Sequence, residues 1–479
     1  MKLKLYNTPT KQLQDFIPIN NNEVLIYSCG PTVYNDLHIG NWSAYIYWDI
    51  LMRVLIADGY KPKQIINITD VGHLTDDADD GDDKLEVSSK KENTTAWEIA
   101  NKYTENYLKG REDLGLLPPH KFIKATDYIT EQLDLIKTLK EKGYIYQISD
   151  GLYFDTEKFP AYAEFAHLNL DNQRTSERIC LNEEKKSQSD FAVWKFSPKN
   201  KQRAMEWSTP SSLLDDGSEK KGFPGWHIEC SAIILNELGD TIDIHTGGID
   251  HIPIHHTNEI AQSVSATGSK LANFWLHNNH MKIDGTKISK SLQNGYTLAD
   301  ITKKGFTTDD FRMFVLQSHF QNETNFTFAN LKAAANRLLN WRNYATIRHQ
   351  SYTTVNQNQE KLTFLPESKL LLEILNDNLN TPKALTFIDS VFSKIDNTEK
   401  IIDRKSFTEF LETIDSLLGF NLIESTPDIN DETKQLIIKR RNARDNQDWE
   451  RSDELRNELT KKGIALRDTQ KHSYWHYLK

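Results

Sequence analysis

Four residues far apart in the chain carry side chains that transition metals bind, namely Cys29, Cys230, His255 and Glu259. The last two are four positions apart in a segment expected to be helical, so their side chains share one helix face. Thiolate sulfur, imidazole nitrogen and carboxylate oxygen together form a donor set suited to zinc. From the residues alone, each also has a structural interpretation: a buried apolar thiol for Cys230, a helix-end donor for His255 and a helix-dipole partner for Glu259.

Two short motifs have the residue types needed to hold polyphosphate. The first is His38-Ile39-Gly40-Asn41, between a predicted strand and a long predicted helix, where backbone N–H groups and the helix dipole favour bound anions. Gly40 would let a nucleotide approach the backbone, and His38 could donate a hydrogen bond to a phosphate oxygen. The second is KISKS, whose Lys287 and Lys290 could neutralise charge as pyrophosphate departs. Taken alone, the first motif is also compatible with a capping loop and the second with a solvated basic loop.

The elements around these residues predict an α/β fold. EVLIYSC is typical of a short buried strand, the segment from Trp42 has the apolar recurrence of a long helix, and KQIINITD indicates a second strand. Such a βαβ unit predicts parallel strands that bind ligands at their carboxyl ends. After a mixed region that indicates an insertion, α/β character returns at GWHIECSAIIL and DTIDIHTGG. We therefore expect a split Rossmann-type parallel sheet with an inserted domain, followed by a mainly helical C-terminal region from Phe328.

Composition excludes several classes of protein. With 38% hydrophobic and 26% charged residues, the 479-residue chain is typical of folded proteins with several domains and not of disordered ones. No apolar run approaches the ~20 residues of a membrane span, and no signal peptide is indicated, so we expect a cytoplasmic protein without a membrane partner. Three widely spaced cysteines form no disulfide framework.

Charge is distributed unevenly along the chain. The formal net charge of −10 argues against a nucleic-acid partner. Residues 431–479 have the opposite sign of charge, with twelve Lys or Arg against nine Asp or Glu. A segment with such an excess of positive charge can bind along a phosphate backbone. The acidic run DDADDGDDKLE does not fit a calcium loop, because aligning Gly81 with the required glycine puts Ala78 and Val87 at ligand positions. A solvated acidic loop is the interpretation that remains.

The two phosphate motifs, in this order around a split sheet, resemble the HIGH and KMSKS signatures of class I aminoacyl-tRNA synthetases, with Asn41 replacing the second histidine and Ile288 the methionine. Within that class the chain resembles the cysteinyl-tRNA synthetases from about Leu5 to Asp468. The similar segments are YSCGPTVYN, NITD, GWHIECSA, NEIAQS, DNLNTPKAL, DWERSDELRNEL and GIALRDT. The chain departs from the family in PIHHT, where the family has Phe-Pro-His-His-Glu, and in apparent insertions after Asp70 and from Ser211 to Gly222.

The resemblance implies ATP-dependent ligation of L-cysteine to tRNA(Cys) through a cysteinyl-adenylate. It implies one Zn²⁺ that selects the substrate thiolate and is held by Cys29, Cys230, His255 and Glu259, and Mg²⁺ that accompanies ATP. The catalytic residues it implies are His38, Lys287 and Lys290, which would also bind ATP together with Gly40, Asn41 and Asp250. The implied cysteine-binding residues are Gly30, Thr32, Thr69, Trp226 and His245, and the implied anticodon-binding residues are Arg444, Trp449, Asp453 and Asp468.

Some alternatives remain open beside the resemblance. Trp226 could be a plain core aromatic, and the three charged anticodon residues could form a salt-bridge network on a helix face. A related ligase that joins cysteine to an amino sugar should lack the C-terminal tail, so the basic balance there and Trp449 favour tRNA. A non-catalytic RNA-binding protein with a structural zinc is disfavoured by His38, Lys287 and Lys290.

The resemblance also divides the chain into parts, and we expect the enzyme to be a monomer. The expected parts are a Rossmann-type catalytic domain in two halves (1–117 and 222–275), an inserted connective domain (118–221), a KMSKS-bearing stem-contact region (276–327), a helical bundle (328–430) and a C-terminal anticodon-binding domain (431–479).

Overall fold

Strands and helices alternate through the first half of the chain, and helices dominate the second. The computed structural model describes residues 2–72, 83–166, 183–198, 203–289, 294–350, 360–398, 400–468 and 473–478. Its strands are β1 (Lys4–Asn7), β2 (Gln12–Asp15), β3 (Glu23–Ser28), β4 (Lys61–Ile68), β5 (Lys121–Lys124), β6 (Ile145–Ile148), β7 (Gly151–Phe154), β8 (Phe191–Phe196), β9 (Trp207–Thr209), β10 (Lys220–Pro224), β11 (Ile242–Gly248), β12 (Ala272–Asn278), β13 (Met281–Ile283), β14 (Thr286–Lys287), β15 (Thr324–Phe326), β16 (Lys361–Leu362), β17 (Ile401–Ile402), β18 (Ile464–Asp468) and β19 (Ser473–Tyr477). Its α-helices are α1 (Ile39–Ala57), α2 (Lys84–Glu92), α3 (Ala96–Asp113), α4 (Ile129–Glu141), α5 (Trp226–Glu237), α6 (Thr257–Thr267), α7 (Leu298–Lys303), α8 (Thr308–Leu316), α9 (Phe328–Ala345), α10 (Leu365–Leu375), α11 (Thr381–Asn397), α12 (Arg404–Leu418), α13 (Asp431–Asp445) and α14 (Trp449–Lys461).

Five parallel strands form the central sheet, in the order β12-β11-β3-β4-β5. Five of the six residues of β3 are buried, as in a strand that is covered on both faces. The chain runs from β3 outward to β4 and β5 and later returns to β11 on the other side of β3, so the strand order reverses between β3 and β11. This topology confirms the predicted split Rossmann-type sheet. Strand β5 and the end of β12 lie beyond the limits 117 and 275 expected from the sequence, because these edge strands continue the sheet.

A second sheet lies between the two halves of the first in sequence, where an insertion is predicted. It has five antiparallel strands in the order β6-β7-β8-β10-β9. Its core contains Phe154, Trp194 and Leu139 of α4, and it extends to Ile228 of α5. The inserted sheet is thereby packed against the helix that returns the chain to the central sheet.

Helix α1 connects the central sheet to the helical region. Its residues are apolar on most sides because it is buried between the sheet and helices that come later in the chain. Asp49 in α1 is ion-paired with the fully buried Arg312 of α8, and it also accepts hydrogen bonds from Arg53 Nε and the Leu117 N–H, both at 2.7 Å. Arg312 Nε donates to the carbonyl oxygen of Leu418 at 2.6 Å. This buried pair therefore joins α1, α8 and the end of α12.

The C-terminal region is mainly helical, as predicted, but it ends in an antiparallel hairpin of β18 and β19 that we did not predict. In β18, Ile464 and Leu466 are buried and their neighbours are less so, which is the period of a strand with one covered face. The hairpin is fixed to the end of α9. Thr346 Oγ1 and Gln350 Nε2 both donate to the carbonyl oxygen of Trp475 at 2.8 Å, and Gln350 Oε1 accepts from the Trp475 N–H at 3.0 Å. Within the described ranges, no helix combines the length and the apolar character needed to cross a bilayer.

Candidate metal and nucleotide site

Cys29 lies at the point where the strand order of the central sheet reverses. It directly follows β3, and its backbone N–H donates to the carbonyl oxygen of Thr246 in β11 at 3.1 Å. This hydrogen bond continues the pairing of the two strands, so the residue lies at the edge formed by their carboxyl ends. Open parallel sheets bind their ligands at this edge.

Three further metal-binding side chains converge on Cys29. Cys230 comes from α5, His255 from the π-helical turn Ile252–His256, and Glu259 from α6, which continues that turn. Each of the four residues offers one ligand atom, and these atoms all lie within 4.8 Å of one another. Cys230, His255 and Glu259 are at most 2% exposed, whereas Cys29 is partly exposed. The structure thus brings together the four residues predicted from the sequence as zinc ligands, and we call them the metal cluster.

Glu259 lies between two imidazoles. Its Oε2 is 2.6 Å from Nε2 of His245, and its Oε1 is 2.7 Å from Nε2 of His255. The first contact is a hydrogen bond, whereas Oε1 is buried and has no hydrogen-bond partner among the described residues. A carboxylate oxygen and an imidazole nitrogen that are buried side by side are both donor types that zinc binds, so this pair fits a metal site. Cys29, His245, His256 and Glu259 form a second, overlapping set whose ligand atoms also lie within 4.8 Å of one another.

The two thiols of the metal cluster interact with each other and differ in acidity. Burial opposes ionisation of Cys29, but the hydrogen bond with the Cys230 thiol and the interactions with the neighbouring imidazoles outweigh burial and hold the pKa of Cys29 well below its usual range. Burial and the neighbouring Cys29 sulfur raise the pKa of Cys230. Burial also opposes the charged form of His255, yet the Glu259 carboxylate raises the pKa of His255 to about 10. Anionic sulfur and carboxylate buried side by side suit a divalent cation.

Behind the cluster lies a row of hydrogen-bonded polar side chains that we did not predict from the sequence. His256 Nε2 lies 3.3 Å from Cys29 Sγ, and His256 Nδ1 lies 2.8 Å from Nε2 of His277. His277 Nδ1 lies 2.6 Å from the hydroxyl of Thr8. Burial lowers the pKa of His256 to about 4, so this ring is neutral and orients the thiol through its hydrogen bonds. The adjacent pair His255 and His256 is the signal that could have identified it, because neighbouring helix residues point to different partners.

The two predicted phosphate motifs lie against each other. His38 is the N-cap of α1: its Nδ1 accepts from the backbone N–H of Asn41 at 3.2 Å, and Asn41 Oδ1 accepts from the His38 N–H at 3.3 Å. Gly40 faces the second motif, since a Cβ at this position would lie 3.0 Å from Cδ1 of Ile288. The start of α1 and KISKS thus pack directly against each other.

The other predicted nucleotide contacts are placed as follows. Lys287 ends β14 and is exposed, whereas Lys290 lies outside the described residues. Asp250 is exposed in the turn Ile249–His251, which follows β11. Its charge acts on His38, although burial is the larger effect and lowers the pKa of the His38 ring. His38 is therefore neutral near pH 7 and able to donate or accept a hydrogen bond.

The residues predicted to bind cysteine surround the metal cluster; they are Gly30, Thr32, Thr69, Trp226 and His245. Thr32 and Thr69 pair in an isolated parallel bridge beyond the ends of β3 and β4. The ring centroid of Trp226 is 4.5 Å from that of His255, and Trp226 is partly exposed, unlike a plain core aromatic. His245 is fully buried against the cluster through its hydrogen bond to Glu259.

The residues predicted to contact the anticodon lie on α13, α14 and β18. Trp449 begins α14 and is 59% exposed, and the Arg444 guanidinium lies 6.0 Å from its ring centroid. Asp468 accepts hydrogen bonds from both Arg440 and Arg444, at 2.8 and 2.7 Å. Asp453 is exposed on α14. Three of the four residues are thus brought together, in a group whose ion pairs also include Arg440, a residue not predicted from the sequence.

Comparison with known proteins identifies similar chains over almost the whole length. The family "tRNA synthetases class I (C) catalytic domain" matches residues 15–336, and the family "Cysteinyl-tRNA ligase anticodon binding domain" matches residues 426–475. Cysteine–tRNA ligase 1 of Burkholderia lata is 38% identical over 98% of this chain and 96% of that protein. Cysteine–tRNA ligase of Treponema denticola is 35% identical over 99% of this chain and 99% of that protein.

A solved structure supports the fold independently of sequence. The methionyl-tRNA synthetase of Mycobacterium tuberculosis, in complex with methionyl-adenylate, superposes with a TM-score of 0.59 over 84% of this chain and 93% of that chain. The two sequences are 14% identical, so this likeness concerns the fold alone.

Proposed function

The chain belongs to the cysteine–tRNA ligase family of class I aminoacyl-tRNA synthetases, and from this we propose that Zn²⁺ held by Cys29, Cys230, His255 and Glu259 selects its amino acid. Family membership carries the overall reaction, the aminoacylation of tRNA. The observation that supports the zinc proposal is the convergence of two thiols, an imidazole and a carboxylate within 4.8 Å at the reversal of strand order.

Selection of cysteine against serine is the problem that such a site solves. The two substrates differ in one atom, and a pocket that recognises size alone separates such pairs by only about 10- to 200-fold. Zinc, when bound, supplies a preference for a thiolate over an alcohol, because sulfur ionises near neutral pH and is the softer donor. The protein's own contribution is to bury the substrate thiol among these donors and to direct the substrate carboxylate toward the cleft of His38 and KISKS.

Activation of the carboxylate takes place, in this proposal, in that cleft. The substrate carboxylate attacks the α-phosphorus of ATP, which gives cysteinyl-adenylate and releases pyrophosphate; a terminal ribose hydroxyl of tRNA(Cys) then attacks the carbonyl carbon and releases AMP. The carboxylate is already a nucleophile, so alignment and charge stabilisation matter most. His38 and the lysines of KISKS would stabilise charge on the phosphoryl oxygens of ATP, which Mg²⁺ accompanies. Gly40 and Asn41 would hold phosphates, and Asp250 the ribose hydroxyls.

The C-terminal region would bind the anticodon. Its match to an anticodon-binding family over residues 426–475 and the exposed ring of Trp449 support this role. Trp449 would stack on an unpaired base, while Arg444, Asp453 and Asp468 would contact base edges. The hydrogen bonds from Arg440 would hold Asp468 in one orientation for that contact.

We also retain the five-part division of the chain as a proposal, with two adjusted limits. Because β5 and β12 belong to the central sheet, the two catalytic halves would extend to 124 and 278. A monomer acting in the cytoplasm completes the proposal, in line with the wide spacing of the three cysteines.

Two other functions can be separated from this one. A ligase that joins cysteine to an amino sugar would share the activation step, but the match of residues 426–475 to an anticodon-binding family favours tRNA. A binding protein without catalysis is disfavoured because the predicted catalytic motifs of His38 and Lys287 pack against each other through Gly40 and Ile288.

The test begins with the metal content of the purified protein. We expect one zinc per chain, a change in the X-ray absorption edge of zinc on addition of cysteine, cysteine-dependent exchange between pyrophosphate and ATP, and charging of tRNA(Cys) with cysteine but not serine. Exchange without charging of tRNA would favour the amino-sugar ligase. Zinc-loaded protein that shows neither activity would overturn the proposal, and an absorption edge unchanged by cysteine would overturn the role of the metal in selection.

A further inference from the structure

A row of hydrogen bonds runs beside the metal cluster. The Gly30 N–H donates to Asn67 Oδ1 at 2.7 Å, Asn67 Nδ2 donates to Thr69 Oγ1 at 3.0 Å, and the Thr69 hydroxyl donates to Glu229 Oε2 at 3.0 Å. Asn67, Thr69 and Glu229 are each at most 2% exposed. The two ends of the row are the sequence neighbours of the two cluster cysteines, so the row spans the same cleft as the metal cluster.

The polarity of this row is fixed from both ends. A backbone N–H can only donate, so the oxygen of the Asn67 amide faces Gly30 and its NH₂ group faces Thr69. The carboxylate of Glu229 accepts the hydroxyl proton of Thr69 at the other end. A hydroxyl has one donor and two acceptor sites. Within the described ranges, the Thr69 hydroxyl makes two hydrogen bonds, which use its proton and one of its lone pairs. The remaining lone pair can only accept a hydrogen bond from a further partner.

An acceptor that cannot become a donor discriminates between chemical groups. An ammonium group has three N–H donors and no acceptor, so it matches the remaining lone pair of Thr69. The negative charge of Glu229, one hydrogen bond away, adds attraction for a cation in a buried place. A thiol compound without an amino group would leave the acceptor unsatisfied.

We propose that Asn67 and Glu229 are positioning residues that hold Thr69 as a fixed acceptor for the α-ammonium group of the substrate. The site then recognises cysteine at two points, the thiol and the ammonium group. This inference rests on the proposed function, in which Thr69 contacts an amino acid held by its sulfur. It adds a criterion that the thiol alone does not provide, since small cellular thiols without an ammonium group would be excluded.

Two small thiols test the inference as inhibitors of cysteine-dependent exchange between pyrophosphate and ATP. Cysteamine carries a thiol and an ammonium group, and 3-mercaptopropionate carries a thiol and a carboxylate. In zinc-loaded full-length protein, Thr69→Val and Glu229→Gln should raise the inhibition constant of cysteamine by about 10- to 100-fold relative to that of 3-mercaptopropionate. Thr69→Ser, which keeps the hydroxyl, should restore the wild-type ratio. The effect of the double variant on this ratio should be smaller than the product of the two single effects, because Glu229 acts in part through Thr69.

A matched control breaks a neighbouring hydrogen bond and leaves the row intact. Thr126 Oγ1 donates to the buried Asp70 at 2.7 Å, so Thr126→Val should keep the wild-type ratio. If Glu229→Gln fails to fold, the comparison of Thr69→Val with Thr69→Ser decides. A ratio that is equal in Thr69→Val, Thr69→Ser and wild type would overturn the inference while leaving the proposed function in place. A wild type without cysteine-dependent exchange would instead overturn the proposed function.

Discussion

The backbone N–H of Ile39 donates a hydrogen bond of 2.8 Å to the carbonyl oxygen of Tyr296, which ties the start of α1 to the segment after KISKS. An isolated antiparallel bridge between His38 and Thr297 reinforces this link. Backbone hydrogen bonds therefore link the two predicted phosphate motifs directly, although some 250 residues separate them in the chain. A change in the packing of one motif should displace the other.

Gly40→Ala should impair the use of ATP. The added Cβ would lie 3.0 Å from Ile288 Cδ1 and 3.1 Å from the His38 ring, so one of these two side chains must move by a few tenths of an ångström. We expect kcat/KM for ATP in pyrophosphate exchange to fall by about 10- to 100-fold, because small displacements of positioning groups are costly to the rate. Gly295→Ala is the control, since its Cβ would lie 3.5 Å from the nearest atoms, an ordinary contact. Equal kinetics of the two variants would contradict the packing argument.

Cys230→Ser should weaken metal binding and lower cysteine activation by more than about 100-fold, because a hard hydroxyl would replace a proposed thiolate ligand. Zinc content by mass spectrometry and the exchange assay measure the two effects. Cys180→Ser is the matched control, since Cys180 is not among the proposed ligands. Full zinc content and normal cysteine activation in Cys230→Ser would refute its role as a ligand.

Asp49→Asn should lower the free energy of unfolding at neutral pH by about 3–5 kcal/mol, because it leaves the buried Arg312 without its carboxylate partner. Burial opposes the charged form of Asp49, but Arg312 and Arg53 outweigh it and lower the pKa of Asp49. The extra free energy of unfolding that wild type has over Asp49→Asn is therefore fully present above the ordinary aspartate pKa of 3.8. It is lost as pH falls through the lower pKa that Asp49 has in the folded state.

Urea unfolding of wild type and Asp49→Asn, at pH 7 and in steps toward acid, measures this difference. The control is Asp113→Asn, which removes an exposed pair with Lys109 and should change stability little at any pH. If the difference between wild type and Asp49→Asn did not shrink in acid, ionic pairing would not be its cause.

Trp449→Ala should raise KM for tRNA by about 5- to 150-fold and leave exchange between pyrophosphate and ATP unchanged, because base stacking on an aromatic ring is worth about 1–3 kcal/mol. Aminoacylation with purified tRNA(Cys) and exchange without tRNA provide the two measurements. Trp97 is also exposed but lies on α3, in the other half of the chain, so Trp97→Ala is the control. Equal KM values for tRNA in both variants would argue against stacking by Trp449.

Much of the metal cluster could be predicted from the sequence, and the reasons differ between its members. The spacing of His255 and Glu259 places both on one helix face wherever that helix lies. Cys29 and Cys230 join them only because β3 and β11 are neighbours, which depends on the order of strands and not on local spacing. For those two residues the resemblance to a family supplied what the spacing could not.

Contacts between distant segments account for what the sequence did not reveal. The hydrogen bond between His256 and His277 and the pairing of Asp468 with Arg440 each need a tertiary arrangement that residue types leave open. The hairpin of β18 and β19 was missed for a different reason, since each strand has only five residues, too few for a periodic pattern to stand out in the sequence.

The attachment of the terminal hairpin to α9 has a geometric consequence. Thr346 and Gln350 form hydrogen bonds with the backbone of Trp475. Helix α9 in turn packs on α8, which carries Arg312, the ion-pair partner of Asp49. The distance from the last strand to the predicted nucleotide site is consequently set by helices that pack against one another. An RNA that is shorter or longer than this span would engage one end of the protein at a time.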